Sequence, residues 1–158
     1  ARASAAGEGV RFAPVALQGT LAPLITGLAR LAQRRHITLR QTVDSGVRVH
    51  MDGQDLQEMV GNLLDNALRW GKSDVHIRLQ AQSEMLLLVV SDDGPGMTPQ
   101  ECQAAVQRGK RLDEQRSGSG LGLAIVTDLV TLYHGQMRLQ RAESGGLEVV
   151  IELPVVAT

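Results

Sequence analysis

Val75-His76-Ile77-Arg78-Leu79-Gln80 alternates apolar and polar side chains. A few residues on, Met85-Leu86-Leu87-Leu88-Val89-Val90 is apolar throughout, before the chain turns at Ser91-Asp92-Asp93-Gly94-Pro95-Gly96. The first segment has the period of a strand with one buried face, and the second reads as a central strand, so the two are expected to pair in one sheet. The acidic turn at the end of that central strand is rich in glycine and proline, which lets its backbone approach a ligand closely. Asp92, fixed by the strand, could accept a hydrogen bond from an exocyclic amine, while glycine leaves room for a flat ring. The same residues also make an ordinary turn with no ligand at all.

Upstream of this pair, Leu56, Met59, Val60, Leu63, Leu64 and Ala67 mark an amphipathic helix that opens after Asp52-Gly53 and runs to about Trp70-Gly71. Glu58, Asn62, Asn66 and Arg69 form a polar stripe along it. Asparagine is a mediocre helix former, so the pair one turn apart carries a propensity cost. Amide oxygens there suit a hard cation such as magnesium, and Arg69 could meet a phosphate from the same face. A solvated face with an incidental asparagine pair is the alternative.

An earlier helix is predicted from Leu21, Leu24, Ile25, Leu28, Leu31 and Ala32, capped by Thr20, with Pro23 in its first turn and Arg34, Arg35 and His36 at its end. Between the two helices, Ile37-Thr38-Leu39 and Val47 to Met51 flank the turn signal Asp44-Ser45-Gly46 and read as an antiparallel pair. Downstream, a gap of roughly 28 residues is too long for mere connection and holds only a modest helical stretch, Pro99 to Val106. A third helix, Leu121 to His134, is apolar on most sides and stops at Gly135. Met137 and Leu139, then Glu143-Ser144-Gly145-Gly146, then Leu147, Val149, Ile151 and Leu153 read as a terminal hairpin.

Composition narrows the function classes. The 158 residues suit one domain, with 43% apolar and 21% charged side chains in ordinary globular proportion. A formal charge of -1 and only 2% aromatics argue against both phosphate-backbone binding and a stacking platform for single strands, so nucleic acid is not an expected partner. The single cysteine, Cys102, makes neither an internal disulfide nor a thiolate zinc site, which favours a reducing setting. The apolar run at Met85 to Val90 is far too short to cross a membrane, and no direct membrane contact is expected of this domain. Residues 1–13, rich in small side chains, read as a linker, and residues 14–158 as the domain.

A third polar cluster, Gly118-Ser119-Gly120-Leu121-Gly122-Leu123, leads directly into the apolar helix. Glycines let amides converge, and a helix N-terminus offers unpaired N–H groups and a positive dipole end, a setting for phosphate. Arg116 just before it, with Arg108, Lys110 and Arg111 upstream, adds positive charge. The dinucleotide fingerprint is excluded because a long charged loop, rather than a strand, precedes the glycines. A P-loop is excluded because no Gly-Lys-Ser or Gly-Lys-Thr occurs.

Taken in order, Asn62-Leu63-Leu64-Asp65-Asn66-Ala67, Asp92-Asp93-Gly94-Pro95-Gly96 and Gly118-Ser119-Gly120-Leu121-Gly122-Leu123 resemble the N, G1 and G2 boxes of the catalytic ATP-binding domain of sensor histidine kinases. This is the Bergerat-fold family shared with gyrase-type ATPases and Hsp90, and the resemblance extends over roughly residues 14 to 154. It implies an α/β two-layer sandwich, a mixed and mostly antiparallel sheet with about three helices on one face, and ATP bound between helices and sheet under a flexible lid. Carried over by position, Asn66 would ligate Mg2+ and Asn62 would support metal and phosphates. Asp92 would hold the adenine amino group, and Gly94 and Gly96 would shape the base pocket. Gly118, Ser119, Gly120, Leu121 and Gly122 would form the lid hinge and phosphate loop, with Arg69 and Arg116 as phosphate contacts. The basic segment around Lys110 is similar to that of the short-lid, PhoQ-type kinases.

Three departures from the family pattern stand out. No phenylalanine lies between Gly96 and Gly118, Asp93 replaces a frequent asparagine with little effect expected, and none of His36, His50, His76 and His134 has the context of a phospho-acceptor. The resemblance therefore implies a histidine-bearing dimerisation domain elsewhere in a longer protein, a response regulator downstream, and a cytoplasmic position in a protein anchored in the bacterial inner membrane. An anti-sigma-factor-type serine kinase and a nucleotide-binding regulatory module without kinase activity are the alternatives.

Overall fold

The computed structural model describes residues 12–109 and 119–157. Its main sheet has the order β2-β4-β5-β7-β6, built from β2 (Thr38–Val43), β4 (Asp74–Gln82), β5 (Met85–Asp92), β6 (Gln136–Arg141) and β7 (Leu147–Leu153). Neighbours run antiparallel except β2, which lies parallel to β4. As read from its apolar run, β5 occupies the middle of the sheet. The terminal hairpin is β6–β7, in register from Gln136↔Glu152 to Arg141↔Leu147. A second, small sheet joins β1 (Val15–Ala16) to β3 (Arg48–Val49).

Four helices are described: α1 (Leu17–Arg34), α2 (Gly53–Trp70), α3 (Pro99–Gly109) and α4 (Ser119–Leu132). Leu21 and Ile25 of α1, Leu56 to Leu68 of α2 and Val126 of α4 share one core with Val75, Ile77, Leu79, Leu86, Leu88 and Ile151 of the sheet. The other sheet face is polar: Arg40 pairs with Asp74 at 2.8 Å, Thr42 meets His76 at 3.0 Å, and Arg78 lies 3.9 Å from Glu148. The expected two-layer α/β sandwich with a mixed, mostly antiparallel sheet is the observed architecture.

Two local expectations need correction. Residues 37–39 and 47–51 do not pair with each other, since β2 lies along β4 with Leu39↔Val75 and Val43↔Leu79. Asp44 explains the difference: its N–H donates to the Leu79 carbonyl at 2.9 Å, and its Oδ2 accepts from Ala81 N at 2.9 Å. The end of β2 is thereby tied to β4, and Gly46, at φ 75°, turns the chain away towards β1. Alternation alone does not name a strand's partner. The first helix also starts earlier than Thr20, at Leu17, with Ala16 as an N-cap that makes no side-chain bond. Leu17 is fully buried and continues the face of Leu21 and Ile25, so apolar burial rather than capping chemistry sets the start.

Helix α2 has the expected apolar stripe and begins at Gly53, with Asp52 as an N-cap that the sequence reading did not assign, accepting from Gln54 N at 2.8 Å and Asp55 N at 3.2 Å. Its start is tied to the end of α4, because the Tyr133 hydroxyl donates to Asp55 Oδ2 at 2.6 Å and accepts from Asp52 N at 3.1 Å. Helix α4 stops as expected before Gly135, whose position leaves no room for a side chain: a Cβ there would lie 2.5 Å from the Glu152 carbonyl oxygen.

Candidate functional site

The last residue of the central strand faces the core side of the sheet. Asp92 sits opposite Val75 and is 4% exposed. Its Oδ1 accepts from Gly94 N at 2.8 Å and Leu147 N at 3.3 Å, and among the described residues nothing donates to Oδ2. Burial pushes its carboxyl pKa upward, an effect that the two N–H donors reduce and the neighbouring Asp93 charge adds to. A cavity of about 540 Å³ opens here, lined by Trp70, Asp92, Pro95, Gly96, Met97, Glu101, Ala104 and Leu147. A carboxylate oxygen on the wall of a largely apolar hollow can orient a flat, amine-bearing ring.

Backbone crowding shapes this hollow. A Cβ on Gly94 would collide with the Trp70 carbonyl, and one on Gly96, at φ 75°, would lie 2.5 Å from the Gly145 oxygen. The β6–β7 turn packs from the other side, with Ser144 Oγ donating to the Asp92 carbonyl at 2.9 Å and Gly146 pressed against Asp92. Read in the sequence only as hairpin punctuation, Ser144 to Gly146 are a buttress for the aspartate. Helix α3 is started by a capping box, Thr98 N donating to Glu101 Oε1 at 2.8 Å and Glu101 N to Thr98 Oγ1 at 3.1 Å. The spacing Thr98-x-x-Glu101 was the signal available for placing Met97 and Glu101 at the cavity.

Along α2, Asn66 is 4% exposed and its Oδ1 has no hydrogen-bond partner among the described residues. One turn earlier, Asn62 Nδ2 donates to the Glu58 carbonyl at 2.7 Å. Asn62 also faces the start of α4, since a Cβ on Gly122 would lie 3.4 Å from Asn62 Oδ1. Trp70, one turn beyond Asn66, walls the cavity and is 48% exposed. Sequence reasoning passed over it, although a tryptophan continuing the row Asn62–Asn66 was the visible signal.

Arg69 lies off this row. It approaches Asp65 at 3.7 Å and lines a separate hollow of about 420 Å³ with Arg35 and Lys72. Ser119, Gly120, Leu121 and Gly122 form the first turn of α4, whereas Arg116 and Gly118 lie outside the described residues.

Among the described residues no group of three or more His, Cys, Asp or Glu converges to hold a metal. A cation bound here would rely on amide oxygen, water and ligand phosphate, the ligand set magnesium accepts, and the orphaned Oδ1 of Asn66 fits that role. None of the four histidines lines the cavity: His50 Nδ1 bonds the Phe12 carbonyl at 2.8 Å, His76 bonds Thr42, and His36 and His134 take positive φ just past helix ends.

An α/β sandwich with an aspartate-walled pocket at the end of its central strand is the frame in which comparison with known proteins identifies the family. Residues 51–157 match the family described as histidine kinase-, DNA gyrase B- and HSP90-like ATPase. The chain belongs to that family. Its relatives include sensor kinases. Sensor protein kinase CarS of Pseudomonas aeruginosa is 42% identical over 133 residues, covering 84% of this chain and 30% of CarS. Virulence sensor histidine kinase PhoQ of Salmonella typhimurium is 32% identical over 155 residues, covering 94% of this chain and 31% of PhoQ. The solved structure of the mycobacterial sensor histidine kinase MprB superposes with a TM-score of 0.75 at 32% identity, over 90% of this chain and 98% of that one. The chain thus spans about a third of the length of the curated relatives it matches.

Proposed function

We propose that this chain binds ATP with magnesium and presents the γ-phosphoryl group to a histidine on a separate dimerisation domain of the same full-length protein, from which a response regulator receives it. The observation that carries this reading is the buried, unpartnered Oδ1 of Asn66, one turn from the tryptophan that walls the Asp92 cavity. A helix does not bury an orphaned amide oxygen without cost, so a ligand for it is the simplest account. Domain boundaries at residues 14–158, a cytoplasmic position and a membrane anchor elsewhere in the protein belong to the same proposal. Among the described residues no helix is long and apolar enough to cross a membrane.

Asp92 would accept from the adenine amino group through Oδ2 while Gly94 and Gly96 keep the floor of the base pocket open. The first turn of α4, Ser119 to Gly122, would offer its unpaired amides to the phosphates, with Gly118 and Arg116 before it. Arg69 would join them by releasing Asp65, an exposed pair worth little on its own. Asn66, with Asn62, would hold the magnesium ion, which when bound neutralises charge on the phosphate oxygens. Asn62 carries an amide, which has no useful basicity, and its Nδ2 is already committed to the Glu58 carbonyl. No group in that position takes a proton from water, which favours transfer over hydrolysis.

Incubated with labelled ATP, the chain alone is expected to stay unlabelled while a dimerisation domain from its own full-length protein, added in trans, becomes labelled on histidine. Stable label on this chain would contradict the reading. Trp70 is the one tryptophan in the sequence, so its emission reports the cavity directly. Saturating ATP with magnesium should shift and quench it, and Trp70→Ala should weaken binding by ~1–3 kcal/mol, the worth of a base–aromatic stack. Unchanged emission on titration would remove Trp70 from the site.

A further inference from the structure

Asp92 and Asp93 are adjacent and point to opposite tasks. Where Asp92 faces the cavity, Asp93 turns to the segment that joins α2 to β4. Its Oδ1 accepts from Lys72 N at 2.8 Å, Ser73 N at 3.0 Å and Asp74 N at 3.1 Å, and its Oδ2 accepts from Ser73 Oγ at 2.7 Å. Burial works against its charge, but the Ser73 hydroxyl and the amides of Ser73, Asp74 and Lys72 hold its carboxyl far below the usual carboxylate range. Three successive amides closing on one oxygen make a clamp of backbone rather than a chance surface contact.

The clamped segment begins two residues after Trp70. Gly71 between them is wedged, since a Cβ there would lie 2.8 Å from the Ala67 carbonyl oxygen and 3.2 Å from Val75 Cγ2. The Trp70 carbonyl itself rests against Gly94. Among the described residues the indole of Trp70 makes no side-chain hydrogen bond, and its backbone, at the end of α2, is where the grip on residues 72–74 can reach it. We propose that Asp93 is a positioning residue for the base pocket: by gripping residues 72–74 it sets the distance between the Trp70 wall and the Asp92 acceptor, and so the fit of a flat purine. This rests on the nucleotide reading above for the identity of the occupant, though not for the geometry. Asparagine at the same place would keep one oxygen for the three amides and offer Nδ2 to Ser73 Oγ, so the clamp tolerates it. Alanine removes every acceptor.

The test uses Asp93→Ala, Asp93→Asn and Ser73→Ala at a temperature where circular dichroism shows each folded. Acrylamide quenching of Trp70 without ligand reads the position of the wall, and calorimetry with a nonhydrolysable ATP analogue reads the pocket. Asp93→Ala is expected to raise the quenching constant about twofold and weaken nucleotide binding roughly tenfold, with Asp93→Asn restoring both nearly to the parent values. A lower melting temperature with parental quenching and affinity would mean a merely structural role and overturn the proposal. Should Asp93→Ala not fold, Ser73→Ala carries the test: roughly threefold weaker binding and altered quenching are expected, and parental values overturn it. If the parent chain itself binds no nucleotide, the functional reading falls while the quenching comparison still decides the positioning.

Discussion

Asn66→Ala is expected to abolish magnesium-dependent nucleotide binding while leaving the chain as stable as before or slightly more so. The two effects have opposite signs for one reason. Asn66 Oδ1 is buried with no partner among the described residues, and such an atom costs ~1–3 kcal/mol of desolvation that the native fold leaves unrecovered. Deleting it relieves that cost, offset by the small void left where the amide stood. The same atom is the one buried amide oxygen on α2 suited to a hard cation, and without it the affinity for ATP in the presence of magnesium should fall by roughly 100-fold. Calorimetry with and without magnesium, paired with urea denaturation, checks both arms. Parental affinity in the variant would remove Asn66 from the site, and a large loss of stability would make it a packing residue instead.

Asp92→Asn should show a second trade of recognition for stability. Asparagine keeps an oxygen for the amides of Gly94 and Leu147 but replaces the open Oδ2 with a donor, so it confronts the adenine amino group with a like partner. A loss of ~1–3 kcal/mol is expected for ATP, with GTP affected far less. Stability moves the other way. Burial raises the Asp92 pKa in the folded chain, so the fold holds that proton more tightly than the unfolded chain does. The resulting stabilisation is complete below the ordinary carboxylate pKa and is lost as pH rises through the raised value. At neutral pH the ionised group therefore weakens the fold, and the asparagine variant should unfold at higher urea than the parent there, with the gap closing in acid. Equal losses for ATP and GTP, or a variant less stable at neutral pH, would contradict the assignment.

Much of this arrangement was legible in the sequence because it rests on local periodicity. Helix α2 with its apolar stripe, the β4–β5 pair and the β6–β7 hairpin each carry their own pattern, and the turn after β5 announces itself by composition. Where contacts join distant segments, the pattern is silent. The parallel partner of β2 depends on Asp44 reaching Leu79 and Ala81, and the approach of Ser144 and Gly146 to Asp92 spans more than fifty residues. Asp93 shows the same limit from another side. Its identity was visible and little effect was expected of it, because its role lies in backbone amides that no side-chain motif records. Trp70 was hidden by position: a large aromatic at a helix end reads as a cap for the core, not as a wall left half open for a guest.

The small sheet near the start of the chain has a mechanical consequence. Arg48 donates to the Pro14 carbonyl and accepts from Ala157 N, and Val49 bridges Val156 beyond its pairing with Val15, so incoming and outgoing backbone are stitched to the same two residues. Tension arriving along either flank is borne by this patch before it reaches the five-stranded sheet. The pocket sits at the other end of the central strand, so a load on either flank meets these hydrogen bonds before it meets the residues around Asp92.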